Sequence, residues 1–281
     1  MKKVTLLAAL VLSSAAFSQN LKISEIHISS GSGSMGSQNA TLVDFAKLAP
    51  SSTILAMDLS QLTPYNYMYF NGFGMNSGSN STSLQLGLQC AKMPKITFRV
   101  GLTHVSNYGL LSAHGSFYES APYDTLTSSQ TGQQTYIDSS HTKSYDMNYS
   151  NQQIRLDGAM IFRMFPEKRW SLHTGLGASI GMSYSATTSL RYWESSSINS
   201  NNGGYYNESG KNETFQNKNS LGAALYIPFG VDFCIGKKRE FWMPFHLYLE
   251  TRPSLNINSI NGIGASFSPG MSSALGLRVK L

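Results

Sequence analysis

Charged residues are scarce in this chain of 281 residues, where Lys, Arg, Asp and Glu together make up 13%. The net charge is +6, and no basic tract of the kind that binds nucleic acid is present. After the N-terminal segment there is no run of about twenty apolar residues, so the sequence predicts no transmembrane helix. The histidines show no spacing typical of a metal site. We therefore expect no nucleic-acid partner, no metal and no cofactor.

Cysteine is rare as well, since the chain holds only Cys90 and Cys234. Each lies two residues before a polar break, but the apolar alternation around the two cysteines differs in phase. In a sheet they would point to opposite sides. Two interpretations stay open, a disulfide or two isolated small apolar residues.

The N-terminal segment is predicted to be an export signal. "MKKVTLLAALVLSSAAFSQ" begins with Lys2 and Lys3, continues with about ten apolar residues and ends with the small residues Ala16 and Ser18. This pattern predicts a signal peptide over residues 1–18, with cleavage before Gln19. We expect the mature protein, residues 19–281, to be exported and to form one barrel domain.

The mature chain alternates apolar and polar residues over many short segments. From Ile154 to Met164 every second residue is apolar or glycine, and Arg155, Asp157 and Arg163 lie at the positions between. Period-two alternation predicts β-strands with one apolar face. The pattern recurs in Thr82–Cys90, Ile96–His104, Trp170–Met182, Leu221–Ile235, Phe245–Glu250 and Ala274–Leu281.

The breaks between these segments are of two kinds, which alternate along the chain. The short ones are basic: Lys92–Lys95, Pro166–Arg169 and Gly236–Glu240. The long ones are polar: Ser37–Asn80, Ser106–Gln152, Ser196–Lys218 and Asn256–Pro269. Three short turns and four long loops between two termini make eight strands, with both termini on the side of the short turns.

This alternation is typical of a transmembrane β-barrel of the bacterial outer membrane, with short periplasmic turns and long extracellular loops. Closure is required, because a sheet edge in lipid would leave backbone groups unpaired. We therefore predict an all-β, eight-stranded antiparallel barrel. A secreted β-sandwich would not explain why short and long connections alternate. Aromatic residues also cluster near the two predicted interfaces, namely Trp170, Phe241 and Trp242 beside the short turns and Tyr184, Tyr192 and Trp193 near the far rim.

The polar positions of the strands point into the barrel by phase. An eight-stranded barrel is only wide enough for side chains to fill its interior. Because buried charges need partners, the interior is predicted to be a closed network of ion pairs and hydrogen bonds rather than a permeation path. The predicted members are Arg99, Arg155, Asp157, Arg163, Asp232, His246, Glu250, Arg252 and Arg278, with His173 and Glu25 by the same phase.

The second long loop is predicted to contain a tall hairpin, Ser112–Ser150, because its Tyr, Thr and Ser residues alternate as in strands that stand in water. Its tip should lie near Thr127–Gly132. A partner could add a strand to a free edge of this hairpin, or the hairpin could simply shield the barrel. The candidate anchors for such a partner are Phe117, Tyr118, Tyr136 and Tyr145.

The first long loop is predicted to contain a short helix in "TLVDFAKLAP". Thr41 is a candidate N-cap with Asp44 three residues on, and Pro50 limits the helix. One face of this helix would carry Leu42, Phe45 and Leu48. The helix would then pack over the barrel mouth or act as a ligand lid.

Several segments carry a resemblance to a known family: "FSQ" at the end of the signal, "FAKLAPSSTIL", "PYDTLTSSQTGQQTYIDS" and "SYDMNYSNQQIRLDG". In these the chain resembles a group of outer-membrane β-barrel proteins of Bacteroidota, over nearly all of the mature chain. The resemblance implies the barrel fold and the location, and it implies no defined activity. One departure is the last residue, which is commonly aromatic in outer-membrane barrels and here is Leu281.

The strongest enzyme candidate is "THVSNYG", in which His104 and Ser106 share the lipid-facing phase of one strand near the outer rim. This spacing is similar to the His-x-Ser arrangement of the lipid A deacylases, which are also eight-stranded barrels. In those enzymes a histidine activates a serine towards a lipid ester, and an acid orients the histidine. Here the acid is missing, because Asp157 on the neighbouring strand points inward.

These observations favour a non-enzymatic outer-membrane protein with a closed, charged lumen and a structural or interaction role. An enzyme of the lipid A deacylase type that uses His104 and Ser106 is the alternative. The expected surroundings are outer-membrane lipid and lipopolysaccharide. A protein partner would bind at the extracellular hairpin or within an envelope complex.

Overall fold

A computed structural model describes residues 21–36, 38–65, 77–90, 93, 95–200, 203–236 and 240–281. The predicted signal peptide and parts of two basic turns lie outside these residues. The strands are β1 (Leu21–Met35), β2 (Gln38–Asn39), β3 (Thr63–Pro64), β4 (Ser77–Cys90), β5 (Ile96–Thr127), β6 (Gln134–Met164), β7 (Trp170–Ser200), β8 (Gly203–Gln216), β9 (Leu221–Tyr226), β10 (Phe229–Cys234), β11 (Phe245–Ile260) and β12 (Gly264–Lys280). The described helices are α1 (Leu42–Leu48) and a 3₁₀ turn (Glu240–Trp242).

The strands close into an eight-stranded antiparallel barrel, as the sequence predicts. We call each strand position in its wall a stave, because one position is shared by two short strands. Going round the wall, β1 pairs with β4, then β5, β6 and β7 follow, and β12 pairs back onto β1. The sixth stave consists of β9 and β10, which both lie between β7 and β11. The backbone N–H of Leu281 donates to the carbonyl of Ser24 at 2.9 Å, so the last residue lies beside the first strand.

Close backbone approach within the wall requires glycine at particular positions. A Cβ atom added to Gly31 on β1 would lie 2.2 Å from the carbonyl oxygen of Ser273 on β12. A Cβ atom on Gly177 would lie 2.3 Å from the ring of Tyr226, which covers this glycine from the neighbouring strand β9. Both contacts are shorter than van der Waals packing permits, so a larger residue would push the staves or the ring aside.

The outside of the barrel is apolar and exposed. An exposed apolar surface of this extent is unsuited to water, and it matches the lipid-facing band of a transmembrane barrel. The exposed side chains of this band include Ile28, Leu84, Leu86, Val100, Leu102, Ile154, Leu156, Met160, Leu172, Leu176, Ile180, Met182, Leu221, Leu225, Phe229, Leu247, Leu249, Leu255, Met271 and Leu275. Among the described residues, no helix is long and apolar enough to cross a membrane.

Aromatic side chains mark the rim of the band on the side of the short turns. Trp170 packs on Phe233, and Trp242 packs between Phe241 and Phe245, with ring centroids 4.4–5.8 Å apart. Positions at the far rim differ in part from the prediction. Tyr184 is exposed at the top of the band, but Tyr192 is buried well above it, so the assignment of Tyr192 and Trp193 to that rim was wrong.

Strands β5, β6 and β7 continue far beyond the apolar band, with 32, 31 and 31 residues. Their upper parts, together with β8, form a four-stranded sheet, which we call the outer sheet. The predicted tall hairpin is confirmed, since β5 and β6 meet at a turn closed by a bond from Ser128 N to Gln133 O. Irregularities at residues 107–111 of β5 and 152–153 of β6 separate the outer sheet from the barrel.

Two of the predicted long loops are instead hairpins. Residues 196–218 contain the end of β7 and all of β8. Residues 256–269 contain the paired upper ends of β11 and β12, joined by a turn at 261–263. Both segments are rich in Ser, Asn and Gly, which is typical of loops. The pairing of β8 with β7, and of the upper ends of β11 and β12 with each other, outweighs this weak local preference.

The first long connection folds over one face of the outer sheet. Helix α1 forms as predicted, with Thr41 as N-cap and a capping box to Asp44. Phe45 and Leu48 are buried beneath it. They belong to a hydrophobic cluster outside the lipid-facing band, which we call the outer core: Met35, Phe45, Leu48, Ala49, Ile54, Leu59, Leu62, Leu110, Leu111, Ala113, Tyr145, Met147, Tyr149, Ala186, Leu190, Tyr192 and Ile260.

Candidate functional site

One cluster of buried charge in the lumen is centred on Glu25 of β1. Its carboxylate accepts hydrogen bonds from Arg163 at 2.8 Å and from Arg278 at 2.6 Å, and it lies 3.0 Å from the ring of His27. Arg278 also donates to Asp232 at 2.9 Å. This cluster therefore ties four staves together across the lower lumen, since Arg163 lies on β6 and Asp232 on β10.

A second cluster is centred on Glu250 of β11, whose side chain is fully buried. Its carboxylate accepts from Arg99 at 2.5 Å and from Arg252 at 2.6 Å, and it is hydrogen-bonded to His173 at 2.7 Å. Arg252 continues the network to Asp157, which lies 3.6 Å away. Side chains from β5, β6, β7 and β11 thus meet inside the barrel.

The remaining predicted members also lie in the lumen. His246 is hydrogen-bonded to Asp232 at 2.7 Å. Arg155 is buried but donates to Gln153 rather than to a carboxylate. His27 was missed by the sequence analysis, although it lies two residues from Glu25 on the same strand. The bulge between Ile23 and Glu25 precedes both residues, so the phase assigned to Glu25 also places His27 in the lumen.

The outer sheet is held rigid by the packed loop on one face. Side chains from the loop, such as Phe45 and Ile54, pack with Leu111, Met147 and Leu190 of three neighbouring strands, and all five are fully buried. Burial of large apolar side chains contributes about 1.5–3 kcal/mol each. The outer sheet therefore has a hydrophobic core of its own, separate from the charged lumen.

Glu213 of β8 fastens the loop to the sheet edge. Its carboxylate accepts hydrogen bonds from the hydroxyls of Ser52 and Thr53, each at 2.5 Å, and from the backbone N–H of Thr53 at 3.0 Å. Partial burial acts to raise the pKa of Glu213, but these hydrogen bonds outweigh it and lower the pKa below its ordinary value of 4.5. Asn217 adds a bond to the carbonyl of Leu48 at 2.7 Å.

The opposite face of the outer sheet is exposed near its tip. Tyr118, Tyr136 and Tyr206 are 66%, 65% and 64% exposed and point to this face. The strand register places hydroxyl side chains between them, with Thr142 paired to Tyr118 and Ser197 paired to Tyr206. We call this surface the tyrosine face: Tyr118, Ser120, Tyr136, Ser140, Thr142, Ser195, Ser197 and Tyr206.

Two of the four predicted anchors are unavailable to a partner. Tyr145 is only 2% exposed, because it belongs to the outer core, where its ring covers Gly115. Phe117 is partly buried against the same core. These two residues point to the covered face, whereas Tyr118 and Tyr136 point to the open one. The anchor assignment was therefore wrong for Tyr145, and alternation alone could not tell which face the loop covers.

The edges of the outer sheet are poorly suited to adding a strand. On β5, Pro122 lacks a backbone donor and adjoins a bulge between Pro122 and Asp124. On β8, the charged residues Glu208, Lys211 and Glu213 lie along the edge. Prolines, bulges and charges of this kind discourage edge pairing, so the geometry favours the tyrosine face over the edges as a contact surface.

The candidate catalytic pair does not assemble. His104 is exposed towards lipid, but its Nε2 is hydrogen-bonded at 2.8 Å to the hydroxyl of Tyr184 on β7. Tyr184 in turn donates to Gln152 at 2.6 Å. Ser106 is 7% exposed, so it shares the phase of His104 without sharing its access to lipid. Asp157 points inward, where it accepts a hydrogen bond from Tyr226.

Neither cysteine takes part in a disulfide. Cys90 is buried and Cys234 is half-buried, and both are free thiols. The disulfide alternative is therefore wrong, in keeping with their different phases. Across the residues that the structure describes, no group of three or more His, Cys, Asp and Glu side chains could hold a metal ion.

Comparisons with known proteins find likenesses only among solved structures, since no family model and no curated protein matches the chain. Neisserial surface protein A is 10% identical, with 93% of this chain and 99% of that chain covered and a TM-score of 0.35. Ail, the attachment invasion locus protein of Yersinia pestis, is 12% identical, with 92% and 100% covered and a TM-score of 0.25; it was solved with the heparin analogue sucrose octasulfate. OprB of Pseudomonas putida is 7% identical, with 95% and 96% covered and a TM-score of 0.15. At such low TM-scores these likenesses carry no functional argument, and the proposals below rest on the residues of this chain.

Proposed function

We propose that this protein is a non-enzymatic interaction protein of the bacterial outer membrane. In this proposal the closed barrel is an anchor, and the outer sheet binds a protein partner outside the cell through the tyrosine face. The signal-like N-terminal sequence, the even number of staves and the apolar band support the location. The lipid-facing band would contact outer-membrane lipid and lipopolysaccharide.

The outer core is the observation that carries this proposal. An anchor needs only short connections outside the lipid, and ordering additional residues costs about 1–2 kcal/mol of backbone entropy per residue. Here a loop, a helix and four strands are ordered around buried side chains such as Phe45 and Leu190. A surface that is already ordered loses less entropy when it binds a partner. The ordered outer sheet therefore suits a preformed binding surface.

The composition of the tyrosine face supports the same conclusion. Tyrosine offers a large, rigid contact area with one polar end, and serine and threonine add adaptable hydrogen bonds. The face combines Tyr118, Tyr136 and Tyr206 with serine and threonine side chains from three strands, β5, β6 and β7. Interfaces are enriched in tyrosine. Two carboxylates lie beside these tyrosines, since Glu208 accepts a hydrogen bond from Tyr206 at 3.1 Å and Asp138 lies between Tyr136 and Ser140 on the same face.

The barrel interior supports the role of a closed anchor. The two carboxylate clusters join side chains from opposite walls at distances of 2.5–3.0 Å, so the lower lumen is filled by ion pairs. The enzyme alternative has no comparable support, because His104 bonds to Tyr184 and Ser106 is buried.

Site-specific photocrosslinking on intact cells tests the proposal. A photoreactive amino acid at position 118 or 206 should capture the partner as a discrete higher-mass band. Leu126 is a matched control, because it is 55% exposed near the same tip but points to the opposite face. The triple variant Tyr118→Ala, Tyr136→Ala, Tyr206→Ala should lose the partner while keeping heat-modifiable gel migration. Equal crosslinking from position 126, or a partner retained by the triple variant, would refute the proposal.

A further inference from the structure

The ionised side chains of the lumen do not balance. Five arginines point inward, Arg99, Arg155, Arg163, Arg252 and Arg278, against four carboxylates, Glu25, Asp157, Asp232 and Glu250. Five minus four leaves one positive charge within the described part of the chain, with the histidines counted as neutral. A buried charge without a counter-charge is costly by several kcal/mol.

The excess charge can be assigned to Arg155. Each of the other four arginines has a carboxylate oxygen within 3.0 Å of a guanidinium nitrogen. Arg155 has none within ion-pair distance; its Nε donates to the neutral amide of Gln153 at 2.7 Å. Its Nη2 atom has no hydrogen-bond partner, although the residue is only 5% exposed.

The carboxylate nearest to Arg155 in sequence is already engaged. Asp157 accepts a hydrogen bond from Tyr226 and one from Thr103 at 3.4 Å, and it lies 3.6 Å from Arg252. Its negative charge also attracts Arg155, but no carboxylate oxygen lies within ion-pair distance of that guanidinium. Arg155 therefore keeps an unsatisfied donor and has no carboxylate in direct contact.

The side chain of Arg155 also lines a cavity of about 70 Å³ in the upper lumen. Its charged lining consists of Arg155, Arg252 and Asp157, so it carries one positive charge in excess, and its hydroxyl donors include Ser179 and Ser254. Met35, which belongs to the outer core, also lines the cavity, so the cavity lies directly beneath that core. A cavity needs about 10–15 Å³ to hold one water-sized particle, and this one has room for an ion with a few water molecules.

We propose that this cavity binds a small monovalent inorganic anion, chloride in ordinary surroundings. A single negative charge cancels the excess of one, whereas a divalent anion would reverse it. The guanidinium of Arg155 supplies a charge-assisted hydrogen bond, and the serine hydroxyls supply the remaining donors. The anion then completes the ion-pair network on the side of the lumen that faces the outer sheet.

Unfolding in matched salts tests this site. The wild-type barrel in detergent is unfolded with urea in sodium chloride and in sodium gluconate at the same ionic strength, because gluconate is too large for the cavity. If chloride binds only the folded state, the unfolding midpoint should rise with chloride concentration. Above the dissociation constant, the rise should follow the logarithm of the chloride concentration. Arg155→Gln should lose this dependence. Arg191→Gln, on the outer sheet, should keep it.

Crystals grown with bromide give a direct readout that does not depend on any variant folding. An anomalous peak in the cavity beside the Arg155 guanidinium in the wild type is the expected result. Identical unfolding midpoints in chloride and gluconate, or bromide-grown crystals with no peak in the cavity, would overturn the proposal.

Discussion

Replacing Glu250 by glutamine removes the charge that Arg99 and Arg252 share. Glu250 accepts from Arg99 at 2.5 Å and from Arg252 at 2.6 Å, and it is bonded to His173 at 2.7 Å, with no exposed side-chain surface. Glutamine has nearly the same shape, so the substitution tests charge rather than packing. Arg252 would keep Asp157 as a partner at 3.6 Å, but Arg99 would have no carboxylate partner among the described residues.

The expected magnitude follows from the unpaired Arg99. Removing one partner of a buried ion pair costs about 3–5 kcal/mol, because the other charge is left without compensation. A loss of this size lowers the folded-to-unfolded ratio by roughly a hundred- to a few thousand-fold. Removing both charges should be milder, since replacing a whole buried pair with apolar side chains is often close to neutral. The double variant Arg99→Met, Glu250→Gln should therefore recover most of the lost stability.

Urea unfolding in detergent measures both effects, with tryptophan fluorescence and heat-modifiable gel migration as independent signals. Glu119→Gln on the exposed outer sheet is the matched control and should leave the midpoint unchanged. A Glu250→Gln variant within about 0.5 kcal/mol of the wild type would mean that the carboxylate is solvated. A double variant no more stable than the single one would show that the cost does not come from Arg99.

Four further outcomes are expected. In whole cells an added protease should cut the exposed turn Ser128–Gln133 and spare Pro166–Arg169, and cleavage at the second turn would reverse the proposed orientation. In planar bilayers the barrel should show no steady conductance, whereas large open channels would contradict a closed lumen. Glu213→Gln should increase hydrogen exchange in residues 42–62 at pH 7, because it weakens the bonds that hold this loop. Hydrogen bonds lower the pKa of Glu213 in the folded state despite partial burial. The wild-type loop should therefore keep this contact above pH 4.5 and lose it as the pH falls through the lowered pKa of Glu213. Expression should leave the mass of lipid A unchanged, and a loss that depends on Ser106 would revive the enzyme alternative.

The barrel could be predicted from the sequence because its signal is local. Every stave must alternate to separate lipid from lumen, so Leu156 and Asp157 already define the two faces of β6. The spacing of the short turns then fixes the number of staves. The same alternation placed the lumen arginines, including Arg155. It could not show that Arg155 lacks a carboxylate, because ion pairs form between residues that are far apart in sequence, such as Arg278 and Glu25.

The outer sheet was only partly predictable, because its faces are defined by a distant loop. Tyr118 and Tyr145 look equivalent in sequence, yet residues 42–62 cover only the face that carries Tyr145. Strand β8 contains Asn, Gly and charged residues and has little strand preference of its own. It forms because β7 offers a long paired edge. Ser106 is buried despite its lipid-facing phase, and it lies just before the bulge on β5.

Strands β5, β6 and β7 run from the lipid-facing band directly into the outer sheet. Their length therefore sets how far the tip of the sheet stands above the band. About 20 residues of β5 stand above the apolar band, and at about 3.3 Å per residue they measure roughly 65 Å along the strand. Covalent geometry and backbone pairing fix this reach, because no flexible linker intervenes. The tyrosine face is thereby presented at a constant height and orientation above the bilayer, and a force applied at the tip would pass directly into the barrel wall.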